Sequence, residues 1–249
     1  MTANNCAASL RRVDDSEAWV LFGDVIGSKK ARVEAAVWLR ALVAELDDVY
    51  GADKIAPFGF TQGDEVQGLL RVTADPLFAV LHAALGDGPL PVRWACIRGA
   101  IDPGDGPATQ RTGPAFQSAR AAIEAARAGR ERLVIRTGRA DADELLDGMA
   151  PAMAELLGTL TARQKVVARM ALVDGLRQSE IAERLKVRRA TISVSFARAR
   201  VTPLARLASA IRRTCASALD CAASSLADPA GASAPSRPSG VLLGEPATE

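Results

Sequence analysis

Two aspartates stand beside the residues that a metal-phosphate site needs. Asp24 lies in Phe22-Gly23-Asp24-Val25-Ile26-Gly27-Ser28, and Asp64 in Gln62-Gly63-Asp64-Glu65, forty positions further on. Two carboxylates brought side by side repel and raise each other's pKa unless a cation neutralises them, the chemistry of a Mg²⁺ site with Asp24 and Asp64 as ligands and Glu65 assisting. Gly23, Gly27 and Gly63 leave backbone amides open to a phosphate, while Ser28, Lys29 and Lys30 add donors and positive charge before the next helix. Mg²⁺ and a nucleotide are the cofactors such a set would suit. The same residues also suit plainer parts, a strand-to-helix turn with Ser28 as N-cap and a hairpin turn. Other chemistry has little material. The single histidine, His82, sits in the apolar helical pattern PLFAVLHAAL and reads as a packed or half-exposed side chain. Cys6, Cys96, Cys215 and Cys221 are scattered, with no CxxC or Cys/His spacing for zinc.

The elements that would bring Asp24 to Asp64 can be read from hydrophobic period. Ala18 to Phe22 is a short apolar run, a buried strand that delivers Asp24 at its end. Ala31 to Val49 places Val33, Ala36, Val37, Leu39, Leu42, Val43 and Leu46 at helical spacing. Ile55 to Thr61 and Glu65 to Val72 read as strands joined by the tight Gln62-Gly63-Asp64 turn. Asp75-Pro76 supplies an N-cap and a first-turn proline for a helix to Leu85. Val92 to Ile101 is a strand, Gly113 to Ala128 a helix and Arg132 to Thr137 a strand. The order β-α-β-β-α-β predicts a ferredoxin-like sheet within an α+β fold, with Asp24 and Asp64 as neighbours.

Charge divides the chain. Leu160 to Arg213 holds 13 basic and 3 acidic residues, a net +10, while the remainder has 18 basic and 26 acidic, a net −8, for a total of +2. The basic segment is the electrostatic footprint of a unit that neutralises phosphates. A domain boundary is expected near Pro151 to Gly158. The expected parts are an arm over 1–17, an α+β domain over 18–150, an all-α domain over 158–226 and a disordered Ala/Ser/Pro/Gly-rich tail over 227–249. No apolar run approaches the roughly 18 residues of a membrane span, and MTANNCAASLRR lacks the apolar middle of a signal peptide, so a cytoplasmic protein is expected.

In the basic segment Thr161 and Gln164 have capping-box spacing before an apolar helix face that runs to Gly175. Ser179 to Leu185 is a second helix, Lys186-Val187-Arg188 a turn with Val187 inward, and Arg189 to Arg200 a third helix burying Ile192, Phe196 and Ala199. Two short helices about a three-residue turn predict a helix-turn-helix and duplex DNA as partner; a three-helix bundle that contacts acidic protein surfaces is the alternative. Thr202 to Leu226 forms a further helix for packing or dimerisation, with Leu204, Leu207, Ile211, Cys215 and Leu219 on one side.

Three resemblances rest on these motifs. FGDVIGS, QGDEVQGLL, Val92-Arg93-Trp94-Ala95-Cys96-Ile97-Arg98-Gly99 and Gly113-Pro114-Ala115-Phe116-Gln117-Ser118-Ala119-Arg120 together resemble the SatD family over Ala18 to Thr137. More remotely the series is similar to class III nucleotidyl cyclases, a resemblance that implies two-metal chemistry at Asp24 and Asp64 and a homodimer with its site between subunits. The cyclase pattern is not complete: Gln117 stands for an Asn, Arg120 comes one position early, and Ala121 stands for the Arg that stabilises transition-state charge. The basic segment resembles the fourth region of sigma factors. That resemblance implies that Arg189, Ala190, Ser193 and Val194 face base edges, while Gln178, Ser179, Arg188, Thr191 and Arg198 hold phosphates. The reading is a DNA-binding transcriptional regulator with a nucleotide- or metal-sensing or dimerising N-terminal domain; the alternative is a Mg-dependent, cyclase-like enzyme that uses Asp24 and Asp64.

Overall fold

A computed structural model describes residues 16–28, 32–61 and 64–226. The chain runs β1 (Glu17–Val25), α1 (Arg32–Tyr50), β2 (Lys54–Phe60), β3 (Glu65–Arg71), α2 (Pro76–Leu85), β4 (Val92–Ala100), α3 (Pro114–Gly129), β5 (Leu133–Arg136) and α4 (Ala140–Gly158). Four more helices follow: α5 (Ala162–Leu172), α6 (Gln178–Arg184), α7 (Arg189–Arg198) and α8 (Val201–Leu226). This is a mixed α+β fold around a five-stranded sheet of order β2-β3-β1-β4-β5.

β1 lies at the centre because both its faces are covered. Trp19, Leu21 and Val25 join the core under α1 and α2, while Ala18, Val20 and Phe22 meet Ala115, Phe116, Ala119 and Ile123 of α3. A strand buried on both faces must be apolar at every position, as AWVLF is, rather than alternating. β3 and β4 pair antiparallel with β1, and β5 joins β4 in parallel through the α3 crossover.

Helix boundaries follow local chemistry. The Asp75 carboxylate accepts from Leu77 N, with Pro76 in the first turn of α2. Gly113, at φ +133°, starts α3, where a Cβ would lie 2.7 Å from Ile101 Cα and Asp102 N. Thr161 and Gln164 form the expected capping box of α5. Lys186, at φ 54°, turns the chain between α6 and α7.

Three expectations are corrected. Val33 and Val37 are 77% and 63% exposed on α1, because Ala35, Leu39, Leu42 and Leu46 already form its inward stripe. Val187 is exposed as well, the turn backbone being held instead by Val187 N donating to Ala182 O. The boundary expected near Pro151 to Gly158 falls inside α4, which runs through Pro151 without a break. One core continues from the sheet through Leu146, Met153, Leu157 and Ala168 to Ala199, Leu204 and Ile211. Charge segregation marks different surfaces here, not a break in packing. α8 is tied down further where Arg212 Nε donates to Asp75 Oδ2 at 2.7 Å.

His82 is packed, as expected, with Nε2 2.6 Å from Glu45 Oε2 and its ring beside Phe78. The expected tail, and the expected arm up to residue 15, lie outside the described residues. Among the described residues no helix is long and apolar enough to cross a membrane.

Candidate functional site

Two surfaces carry the residues singled out by the sequence. The first is the end of the sheet beneath α3. Asp24 on β1 is the register partner of Glu65 on β3 and of Arg93 on β4, so a charged row crosses three strands on one face. Asp64 adjoins it: Val25 N donates to Asp64 O at 3.0 Å, and Ser28 Oγ donates to Asp64 Oδ2. The juxtaposition of Asp24 with the β2-β3 turn is therefore present.

Both oxygens of Asp24 are engaged by guanidinium groups. Arg93 Nη1 donates to Oδ2 at 2.6 Å and Arg127 Nη2 to Oδ1 at 2.8 Å. The two arginines differ in exposure. Arg93 is buried and also donates through Nε to Glu131 O, whereas the Arg127 side chain is 59% exposed. The hydrogen bond to Asp24, and after it the Asp24 charge, raises the pKa of Arg127 above its ordinary value. Arg120, two turns before Arg127 on the same face of α3, lies over the Phe22 ring and donates to Glu65 Oε1 at 3.3 Å; the same oxygen accepts from Gln67 Nε2 at 2.6 Å.

In this arrangement Asp24 is neutralised by Arg93 and Arg127, Asp64 accepts from Ser28, and among the described residues no three His, Cys, Asp or Glu gather as metal ligands.

The expected phosphate cradle is altered too. Gly23 is not open: it sits mid-strand between Val66 and Trp94, and its missing side chain makes room for the Trp94 ring, 3.0 Å from where a Cβ would stand. Gly27 is exposed at φ +82°, and Ser28 donates to Asp64. Lys29 and Gly63 lie outside the described residues. Arg93, Arg127 and Gln67 were not anticipated from sequence. A signal existed for Arg93, which shares a strand face with Ala95 and Ile97, an odd place for a charge without a buried partner.

The second surface is formed by α5, α6 and α7. Ile181 and Ala182 of α6 and Ile192 of α7 make a small core with Met170, Leu176 and Phe196. Gln164 Nε2 donates to Arg198 O at 3.1 Å, so the capping box of α5 also fixes the end of α7. Outward from this core Ser179, Arg188, Arg189, Ala190, Thr191, Ser193, Val194 and Arg198 are exposed, and Gln178 is half-buried. All nine residues therefore belong to one helical unit, with Arg188 at the N-cap of α7 and Arg198 at its last turn.

No curated protein and no solved structure matches the chain. The SatD family model matches residues 19–202, from the first strand through α7, so it takes in the helical unit together with the sheet. The chain belongs to the SatD family.

Proposed function

We propose that the chain is a cytosolic DNA-binding regulator in which α5, α6 and α7 form a helix-turn-helix and α7 enters the major groove. The observation that carries this reading is the outward face of α7, where Arg188, Arg189, Ala190, Thr191, Ser193, Val194 and Arg198 are exposed while Ile192 is buried. Arg189, Ala190, Ser193 and Val194 then meet base edges, Arg189 suited to guanine and Ala190 or Val194 to thymine methyls. Gln178, Ser179, Arg188, Thr191 and Arg198 hold phosphates. The net +10 of Leu160 to Arg213 supports a polyanionic partner. The test is binding of duplex DNA by the full chain over a salt series, with Arg189→Ala and Arg198→Ala beside it. Weaker binding in both variants supports the reading; no affinity at low salt, or affinity indifferent to both changes, overturns it.

The α/β part is read as a ferredoxin-like, cyclase-related unit that senses a nucleotide. The strand order β2-β3-β1-β4 supports it, as do the exposed heads of Arg120 and Arg127, which a polyphosphate can draw from Glu65 and Asp24. Mg²⁺ has no assigned step in this reading, and no observation beyond the juxtaposition of Asp24 with Asp64 favours the enzyme alternative. Val33 and Val37, exposed one helical turn apart on α1, support a homodimer. Calorimetric titration with ATP and GTP, repeated on Arg127→Ala, tests the sensing part; affinity equal in wild type and variant contradicts it.

A further inference from the structure

A pocket between α2, β4, β5, α4 and α5 has no part in the readings above. Val80 and Ala84 of α2, Trp94 of β4, Leu133 of β5 and Leu157 of α4 form apolar walls around a cavity of about 60 Å³. Two cations are among its lining residues: Arg132, just before β5, and Lys165, on α5. The lining contains no aspartate or glutamate. Among the described residues the side chains of Arg132 and Lys165 form neither an ion pair nor a hydrogen bond.

We propose that this pocket binds a short-chain aliphatic monocarboxylate, its tail among Val80, Ala84, Trp94 and Leu157 and its carboxylate between Arg132 and Lys165. Three features select that class. Apolar walls reward an alkyl chain. Two cations without a counter-charge reward one anionic group. The absence of an acidic lining residue leaves the ammonium of an amino acid with no partner and excludes it. A cavity of about 60 Å³, only a few times the roughly 10–15 Å³ that a single water needs, restricts the tail to a short chain. Butyrate is therefore the probe of matching size. Because Lys165 belongs to α5 and the other walls to the α/β part and α4, the bound acid ties the basic helical unit to the sheet.

The site does not depend on the DNA reading and is tested without DNA. Full-length protein is titrated calorimetrically with sodium butyrate against matched sodium chloride, with butylammonium chloride and inorganic phosphate in parallel. Saturable binding of butyrate alone is expected. The Arg132→Gln/Lys165→Gln double variant, which alters only these lining side chains, is expected to bind at least about tenfold more weakly, as loss of charge-assisted hydrogen bonds implies. Lys165→Arg is expected to keep most of the affinity. The proposal is overturned by absence of saturable butyrate binding, by equal binding of butylammonium or phosphate, or by unchanged affinity in the double variant.

Discussion

Asp24 and Arg93 face each other across β1 and β4, with Arg93 Nη1 donating to Asp24 Oδ2 at 2.6 Å and both side chains less than 10% exposed. A buried ion pair adds little stability over an apolar pair of the same shape, but losing one partner strands the other charge. The second guanidinium on Asp24, from Arg127, sits in solvent. Arg93→Leu is accordingly expected to cost about 3–5 kcal/mol, and Arg127→Ala less than about 1 kcal/mol because its charge is screened. Urea unfolding of the two variants measures the contrast, and equal losses would remove the distinction drawn between the two arginines.

Two glycines separate backbone strain from crowding. At Gly27, φ is +82° with nothing within 4 Å of an added Cβ, so Gly27→Ala carries only the left-handed backbone cost of about 1–2 kcal/mol. Gly113 has φ +133° and backbone atoms 2.7 Å from that Cβ. Gly113→Ala adds overpacking of about 1–3 kcal/mol to the strain. Thermal melts should rank Gly113→Ala well below Gly27→Ala, and the reverse order would refute the geometry at the start of α3.

Asp75 serves two elements at once, capping α2 through Oδ1 and receiving Arg212 of α8 through Oδ2. Asp75→Ala should lose about 1–2 kcal/mol from the cap alone. Arg212→Ala, which leaves the cap in place and removes a partly exposed pair, should lose no more than about 1 kcal/mol. Matching melting temperatures for the two variants would mean that the cap contributes nothing.

Burial, ahead of the nearby Asp75 charge, pushes the Cys215 thiol up to about 12, and burial raises Cys96 further still. Since the thiolate is the nucleophile, both should resist iodoacetamide at pH 8 in the folded protein and react on unfolding in guanidinium. Peptide mapping reads each cysteine separately. Rapid labelling of Cys96 in the native state would contradict its place in the core.

Elements governed by local chemistry were legible in the sequence. Asp75-Pro76, the Thr161/Gln164 box and the apolar run of β1 each act over a few residues and predict α2, α5 and the central strand directly. α4 escaped notice because Pro151 looks like a terminator, although Ala142, Leu146, Ala150, Met153 and Leu157 repeat at three or four. At the sheet end the meeting of Asp24 with Asp64 and Glu65 followed from strand order. The cations that hold Asp24 did not, since Arg93 and Arg127 come from 69 and 103 positions away and only the folded sheet selects them. The opposite charges of the two segments suggested separate bodies, but charge describes the solvent side of a helix and says nothing of the apolar side, where α4, α5 and α8 share the sheet's core.

The central claim, that the face of α7 reads DNA, is tested most directly by the salt dependence of duplex binding by wild type and Arg198→Ala. The account predicts measurable affinity at low salt that falls steeply as salt rises. In Arg198→Ala it predicts weaker binding to every duplex and a log–log salt slope smaller by about 1, the signature of one lost phosphate contact. Absence of duplex binding at low salt, or a slope unchanged by Arg198→Ala, would contradict it.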